Sequence, residues 1–489
     1  MSHHKIIGIY NVALNGDKVA AISKDPLQGQ KVYDVSGKVV SPGFIDPHSH
    51  GMNNTSHRFQ MFDGVTTAMD LEAGALPVSQ FYDTCAKEGR VINYGCSVSH
   101  GSARIAALSP KRIQETGGMI AKFSWLFTSF HHTEWTHDLA EDQALQKIVD
   151  LVEQGIKEGG IGVGILHAYT PGAGTQEMLK LFELGAKYNV PTFTHTKNMA
   201  FGDPNSNVQS CVELVGLSAV TGCHAHVCHL NSISGKSIAK TRKVILEGKK
   251  AGVHVTTEAY PYGAASSAIG AEEFEPTTLW SRLQLPPQNL TRVKDGKTFQ
   301  TVEEIIEARK ENANDAVVCH FLNEDEDPKD EALMDLALFF PDAPICSDGL
   351  SWSSQDGSYY EEDVWPMPQG LQNHPRAAGS FSRFISKWCR ERKTVSLLEA
   401  VRKCSLNPAQ LLEKHVPSML TKGRLQVGMD ADVIVFDFDQ IKDMATFKDP
   451  QQFSAGMTHV IVNGTFVVEN GEHNSSVYPG RPVRAPIRT

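Results

Sequence analysis

From about residue 41 to residue 419, short apolar runs of β type alternate with stretches of helical periodicity, and this alternation restricts the fold more than any other feature. The helical patterns include Gln143 to Glu158, Gln176 to Tyr188 and Ser237 to Lys250. A strand followed by a helix is a βα unit, and repeated βα units build a parallel sheet covered by helices. The pattern therefore predicts an α/β protein, a (β/α)8 TIM barrel, with functional residues at the C-terminal ends of its strands. The chain ends read differently: residues 1–40 and 420–489 hold short β runs separated by turns, such as Leu14-Asn15-Gly16-Asp17 and the approach to Val433-Ile434-Val435-Phe436. They are expected to pair into one small β-sandwich. The catalytic barrel then spans 41–419, with a lid-like insertion at about 264–342. That insertion follows a barrel strand and so sits on the rim where substrate loops lie.

A chain of 489 residues is long enough for such a barrel plus a satellite domain. Its formal charge of −10 argues against nucleic acid or an anionic membrane as the main partner and leaves a small-molecule substrate. No apolar run approaches the ~18 residues of a transmembrane helix, and no signal-peptide core precedes Asn15. The nine cysteines show no paired spacing and read as reduced thiols of a cytoplasmic protein. Homo-oligomerisation is left open.

The strand ends carry the chemistry. Phe44-Ile45-Asp46-Pro47-His48-Ser49-His50 ends a strand in two histidines at i and i+2, which share a face and suit one cation. With 20 histidines in the chain, roughly one such pair arises by chance, so the strand setting matters more than the pattern. Cys96, in Asn93-Tyr94-Gly95-Cys96, is a candidate thiolate ligand, against the commoner alternative of a packed core thiol. His195 ends the apolar run Val190-Pro191-Thr192-Phe193-Thr194. The next strand offers His224, His226 and His229. Strand parity forbids aiming both His226 and His229 inward. His229 is preferred because Ala225 and Val227 share its face and suit a crowded interior, which leaves His226 structural. Asp348, closing Ala343-Pro344-Ile345-Cys346-Ser347, is a candidate general base. The acidic run Asn323 to Asp330 reads as a solvated loop.

Several ordered motifs narrow this further: Asp63-Gly64-Val65-Thr66-Thr67 after the first strand, Glu258-Ala259-Tyr260-Pro261-Tyr262, Ser347-Asp348-Gly349, and His374-Pro375-Arg376-Ala377-Ala378-Gly379-Ser380. Together with the first histidine pair they resemble the amidohydrolase superfamily and, within it, the D-aminoacylase family, over nearly the whole chain. The segments Gly64 to Gly74 and Trp365-Pro366-Met367-Pro368 resemble its D-glutamate deacylase branch. The resemblance implies hydrolysis of N-acyl-D-amino acids. It implies metal ligands at His48, His50, Cys96, His195 and His229, Asp348 as acid/base, and Arg376 as a substrate carboxylate anchor with Tyr262 beside it in the substrate site. It also implies one tightly bound Zn2+ and a second, weaker site. Arg58 and Arg104, close after the first strand ends, are the candidates for a side-chain carboxylate of an acidic D-amino acid. Asn231 stands where the family pattern has lysine, so no role of that lysine is carried over.

Two other functions remain open at this level. A cyclic-amide hydrolase of hydantoinase or dihydroorotase type shares the barrel and the first histidines but wants a bridging lysine on the fourth strand, where Gly162-Val163-Gly164-Ile165 stands. A structural barrel without chemistry should have lost ligands, and these strand ends keep theirs.

Overall fold

A computed structural model describes residues 7–275 and 285–488. Seven parallel strands form its central sheet, in chain order Phe44–Asp46, Val65–Ala75, Asn93–Ser99, Val163–Leu166, Thr192–His195, Ala225–Val227 and Val255–Thr257, each beside the next. The sheet curls until its two edges meet a common segment. Ile345 bridges Ala259 beyond the last strand, and Gly349 bridges Ser49 beyond the first, both in parallel sense. The Asp348 amide donates to the His48 carbonyl at 2.7 Å, which ties this segment to the first histidine pair.

The expected helices are present at Asp142–Lys157, Thr175–Tyr188 and Ile238–Lys250. Their apolar faces meet strands that are buried on both sides, as parallel sheets require: Ile148, Val152 and Ile156 of the first are almost fully buried. The turn into the long second strand needs Gly64. Its φ is +86°, and a Cβ there would lie 2.8 Å from the Phe44 ring.

Both chain ends enter one five-stranded antiparallel sheet: Val39–Pro42 pairs with Val433–Phe436, followed by Met457–Val462, Thr465–Glu469 and Glu472–His473. The hairpin of Asn11–Asn15 and Lys18–Ser23 packs on it through Val19, Val433 and Ile461.

The 264–342 region is more structured than the sequence suggests, with residues 276–284 outside the described residues. Ala264–Ala268, Ala316–His320 and Leu290–Arg292 form a three-stranded antiparallel sheet. The acidic run is not a solvated loop. Asp327 caps the helix Pro328–Leu338, Asp330 is buried against Lys236, and Asp325 pairs with Arg383 and Lys387. Buried or clustered carboxylates of this kind tie the insertion to the helix Arg376–Arg383 and the turn of chain after it.

Candidate active site

Glu72, near the end of the long second strand, stands at the centre of the strand-end cluster. Its Oε1 lies 2.8 Å from His229 Nε2 and 3.3 Å from His195 Nδ1. Its Oε2 lies 3.3 Å from His48 Nε2 and 3.6 Å from His50 Nε2. Glu72 is buried, as are all four histidines. The carboxylate therefore sits between two histidine pairs. Its placement has a local cause. Asp70 Oδ1 accepts from the amides of Ala73 at 3.1 Å and Gly74 at 3.0 Å, folding the chain just beyond Glu72. The fourth strand, one beyond its neighbour, makes room: a Cβ on Gly164 would fall 2.3 Å from the Glu72 carbonyl. A lysine in that crowded strand position would not fit.

The histidines are held from behind. His48 Nδ1 lies 2.5 Å from Glu258 Oε1, and Glu258 Oε2 lies 3.2 Å from His226 Nε2. His50 Nδ1 lies 3.2 Å from Asp70 Oδ1. These contacts leave Nε2 of both rings facing each other at 3.2 Å and facing Glu72. A carboxylate on the far ring nitrogen is the usual way a histidine ligand is oriented. His226 is thus not a member of the central cluster, but not for the expected reason: it pairs with Phe193, so it shares the inward face of His195 and supports His48 through Glu258, whereas His229 enters from beyond the strand's end.

Asp348 completes the cluster. Its Oδ1 is 3.4 Å from Nε2 of both His48 and His50, and its Oδ2 is 2.8 Å from Arg376 NH1. Asp348 and His229 are both non-glycine residues with positive φ, +52° and +28°. Such backbone strain is held in place by surrounding structure and concentrates at functional sites. Arg376, the first residue of its helix, is buried, stacks over Tyr260 at 4.7 Å and keeps Nε without a hydrogen bond.

The electrostatics follow from this crowding. Burial pushes the Glu72 carboxyl up, but His229, His48 and His195 outweigh it and hold it well below the usual carboxylate range. Burial pulls His48 down, and the carboxylates of Glu72, Glu258 and Asp348 hold it well above the usual histidine range. For Asp348, burial is outweighed by the Arg376 guanidinium and by His48, which lower its pKa. A buried collection of carboxylates and imidazoles balanced in this way fits a cation. Four donor atoms, from His48, Glu72, His229 and Asp348, lie within 4.8 Å of one another. Both ring nitrogens of the buried His195 lack a hydrogen-bond partner, as a waiting metal ligand does.

The remaining expected residues lie elsewhere. Cys96 faces the helix layer, packed with Cys85 and Tyr82; its amide donates to Tyr82 Oη at 3.3 Å. Burial and the neighbouring Cys85 raise its thiol pKa well above the usual value, the reverse of a thiolate ligand. Cys96 pairs with Asp70 in the sheet; the register shifts just beyond that pair, and Glu72, past the shift, is the residue that reaches the cluster. Tyr262 turns toward Asp443, 3.4 Å from its hydroxyl, with Arg383 over its ring. Arg58 pairs with Asp363 and packs on Trp365. Arg104 is consumed by Glu177 at 2.6 Å and by the carbonyls of Trp135 and Asp138. None of these three lines the pocket above Glu72, which Phe127, Tyr169, Phe201, Phe274 and Phe321 wall.

Glu72, Glu258 and Glu273 were not singled out as site residues from the sequence. For Glu72 the signal existed, since an acidic residue ending an apolar strand is the criterion that selected Asp348.

The comparisons with known proteins agree with this geometry. Residues 347–468 match the amidohydrolase family, and the fold is the one that solved amidohydrolases share. Within that class its likeness is to the D-aminoacylases. It is 24% identical over 511 residues to N-acyl-D-glutamate deacylase of Alcaligenes xylosoxydans xylosoxydans, covering 97% of this chain and 92% of the relative. The crystal structure of D-aminoacylase superposes with a TM-score of 0.73 at 21% identity, covering 99% of this chain and 97% of that one. N-acyl-D-glutamate deacylase from Bordetella bronchiseptica, complexed with zinc and a phosphonate inhibitor that mimics the tetrahedral intermediate, gives 0.71 at 22% identity, covering 97% and 95%.

Proposed function

We propose that this protein is a zinc-dependent hydrolase that cleaves the amide bond of N-acyl-D-amino acids, releasing a carboxylate and the free D-amino acid. The observation that carries this reading is the buried Glu72 carboxylate between two histidine pairs, with the Asp348–Arg376 pair alongside. His195, His229 and Glu72 would hold the tight zinc, Glu72 taking the place expected for Cys96, while His48 and His50 would hold a second, weaker one. Bound there, zinc supplies Lewis acidity that polarises an amide carbonyl and acidifies a water molecule. The protein's own groups do the rest. Asp348 Oδ1 accepts a proton from the attacking water and returns it to the leaving amine, without which the amine is a very poor leaving group. The planar guanidinium of Arg376 matches the α-carboxylate of the substrate. The aromatic walls exclude bulk water.

The barrel reading supports this assignment. We take the seven parallel strands and the bridging segment Ile345–Gly349 as a closed (β/α)8 barrel over 41–419. The terminal sheet and hairpin form the sandwich of 1–40 and 420–489, and the 264–342 insertion is the pocket's cover. Among the described residues no helix is long and apolar enough to cross a membrane, and all nine cysteines are free, which favours the cytoplasm.

The test is a substrate panel on protein purified without chelator and analysed for metal: N-acetyl-D-methionine, N-acetyl-D-glutamate, N-acetyl-L-glutamate and a hydantoin. Cleavage of a D compound at a rate well above its L counterpart and the hydantoin is expected. Faster turnover of the L compound or of the hydantoin would overturn the proposal.

A further inference from the structure

One carboxylate in the pocket belongs neither to the central cluster nor to its supports. Glu273 sits in the short turn Glu272–Phe274 of the insertion and lines the pocket opposite the strand ends, with His195 and Ser267 nearby. Its residue is 5% exposed, and its Oε2 has no hydrogen-bond partner. Ser267 hydrogen-bonds the carboxylate but is shared, and the other local donors are engaged elsewhere. Tyr169 Oη and Ser267 Oγ bond each other at 2.8 Å. Arg309 donates to the carbonyls of Ile269 and Ala271. A buried carboxylate oxygen without a donor is costly until something supplies one. The space in front of it is walled by Phe127, Phe201, Phe274, Phe321 and Leu350. Apolar walls leading to a carboxylate with one free oxygen suit a group with an aliphatic stem and a cationic end.

We propose that Glu273 is a specificity-determining residue that receives an ammonium or guanidinium group carried on an apolar stem by the N-acyl-D-amino acid, and that disfavours a carboxylate in the same place. This rests on the deacylase reading above. The cation can belong to the D-amino acid's side chain or to the acyl group. An acidic group would set two carboxylates together in a dry pocket, where both cannot remain ionised without penalty.

Five compounds test it: N-acetyl-D-lysine and its Nε-acetylated neutral form, 6-aminohexanoyl-D-methionine and its neutral hexanoyl counterpart, and N-acetyl-D-methionine as reference. In the wild type, one charged compound should exceed its neutral partner in kcat/KM by about tenfold or more, the scale of a hydrogen bond to a charged group. A preference in the lysine pair assigns the cation to the side chain; a preference in the hexanoyl pair assigns it to the acyl group. In Glu273→Gln, the same shape without the charge, that ratio should collapse toward unity. Two results overturn the proposal: flat wild-type ratios in both pairs, or a preference that survives Glu273→Gln. The wild-type ratios need no variant, so a poorly folding substitution does not protect the idea. If N-acetyl-D-methionine is cleaved while both ratios are flat, the Glu273 assignment falls and the deacylase reading stands. If none of the five is cleaved, the Glu273 assignment falls, and N-acetyl-D-glutamate from the first panel decides whether the deacylase reading stands.

Discussion

At the scale of single residues, Glu72 and Asp348 divide the labour. Glu72 touches all four histidines and Asp348 touches His48, His50 and Arg376. Glu72→Gln keeps the volume but removes the charge shared by both histidine pairs. It should weaken zinc binding by more than about 100-fold, beyond what loss of an orienting partner alone causes, and abolish turnover. Cys96→Ala should retain its zinc, because the thiol lies in the helix layer. Metal analysis after dialysis checks both, and a zinc-free Cys96→Ala beside a zinc-replete Glu72→Gln would reverse the assignment. Asp348→Asn should lower kcat by about 10²-fold or more, the usual scale for a positioned acid/base; near-normal kcat at neutral pH would remove Asp348 from the chemistry. Arg376 adds a pH signature. Its positive charge lowers the pKa of Asp348, so in Arg376→Met that pKa must rise. A base works only when deprotonated, so the acid limb of the kcat/KM profile should move to higher pH, together with a raised KM. An unmoved limb would mean that Arg376 does not face the catalytic carboxylate in solution.

At the scale of elements, two helices are joined by buried charge. Glu177, in the first turn of Thr175–Tyr188, accepts from Arg104 at 2.6 Å and lies 2.6 Å from His100, both on His100–Leu108. Burial alone would raise the Glu177 pKa; the hydrogen bond with His100 and the Arg104 charge outweigh it and hold it at about 2. A carboxyl lowered on folding stabilises the native state above its unfolded value of 4.5, and that stabilisation disappears as pH falls toward about 2. The size of the shift corresponds to about 3 kcal/mol. Urea unfolding between pH 6 and pH 3 should therefore show a loss in wild type that is much smaller in Glu177→Gln. At pH 7 the same variant should be less stable by about 3–5 kcal/mol, since it leaves the Arg104 guanidinium buried without its counter-charge. Equal acid sensitivity in both proteins would discount the pair.

At the scale of the whole molecule, the terminal sheet is bolted to the curled parallel sheet by Asp432. Its Oδ2 accepts from Lys422 at 2.7 Å and from Asn93 at 3.0 Å, and its Oδ1 accepts from the Asn463 amide at 2.8 Å, all of them buried. Asn93 starts the third parallel strand, so the contact spans the two bodies. The last residues return to the same strand: the Tyr94 amide donates to the Arg481 carbonyl and the Val483 amide to the Tyr94 carbonyl at 2.7 Å, with Val483 fully buried. Asp432→Ala should cost about 1–3 kcal/mol, because the buried Asn463 amide loses its acceptor and Lys422 is left to Asp430. Urea denaturation measures it, and a change under 1 kcal/mol would show that the two bodies are held by apolar packing alone.

Much of this was legible in the sequence. Alternating βα patterns, β-only ends, and the strand-end residues His48, His50, His195, His229 and Asp348 follow from local periodicity and from residue types that an apolar strand tolerates only for a reason. The parity argument for His229 fails in its reason: Ala225 and Val227 pack on the helix side, His226 shares the inward face with Phe193, and His229 reaches the cluster from beyond the strand's end. Cys96 shows where such reasoning stops: the irregularity after Asp70, where the chain folds at Ala73 and Gly74, breaks the strand's alternation and brings Glu72 rather than Cys96 to the cluster. Tyr262, Arg58 and Arg104 fail in a similar way. Proximity in sequence to a strand end does not say which way a long side chain turns, and each is captured by a partner from a distant segment: Asp443, Asp363 and Glu177. Glu258 behind His48 and Glu273 in the pocket wall acquire their roles only when segments far apart in the chain converge, and Asp70 reaches His50 from the adjacent strand. The sequence by itself determined the kinds of element and the chemistry at their ends, because periodicity and residue type are local. Which donors share one cavity was decided by tertiary structure, because strand register, side-chain direction and burial depend on neighbours hundreds of residues away.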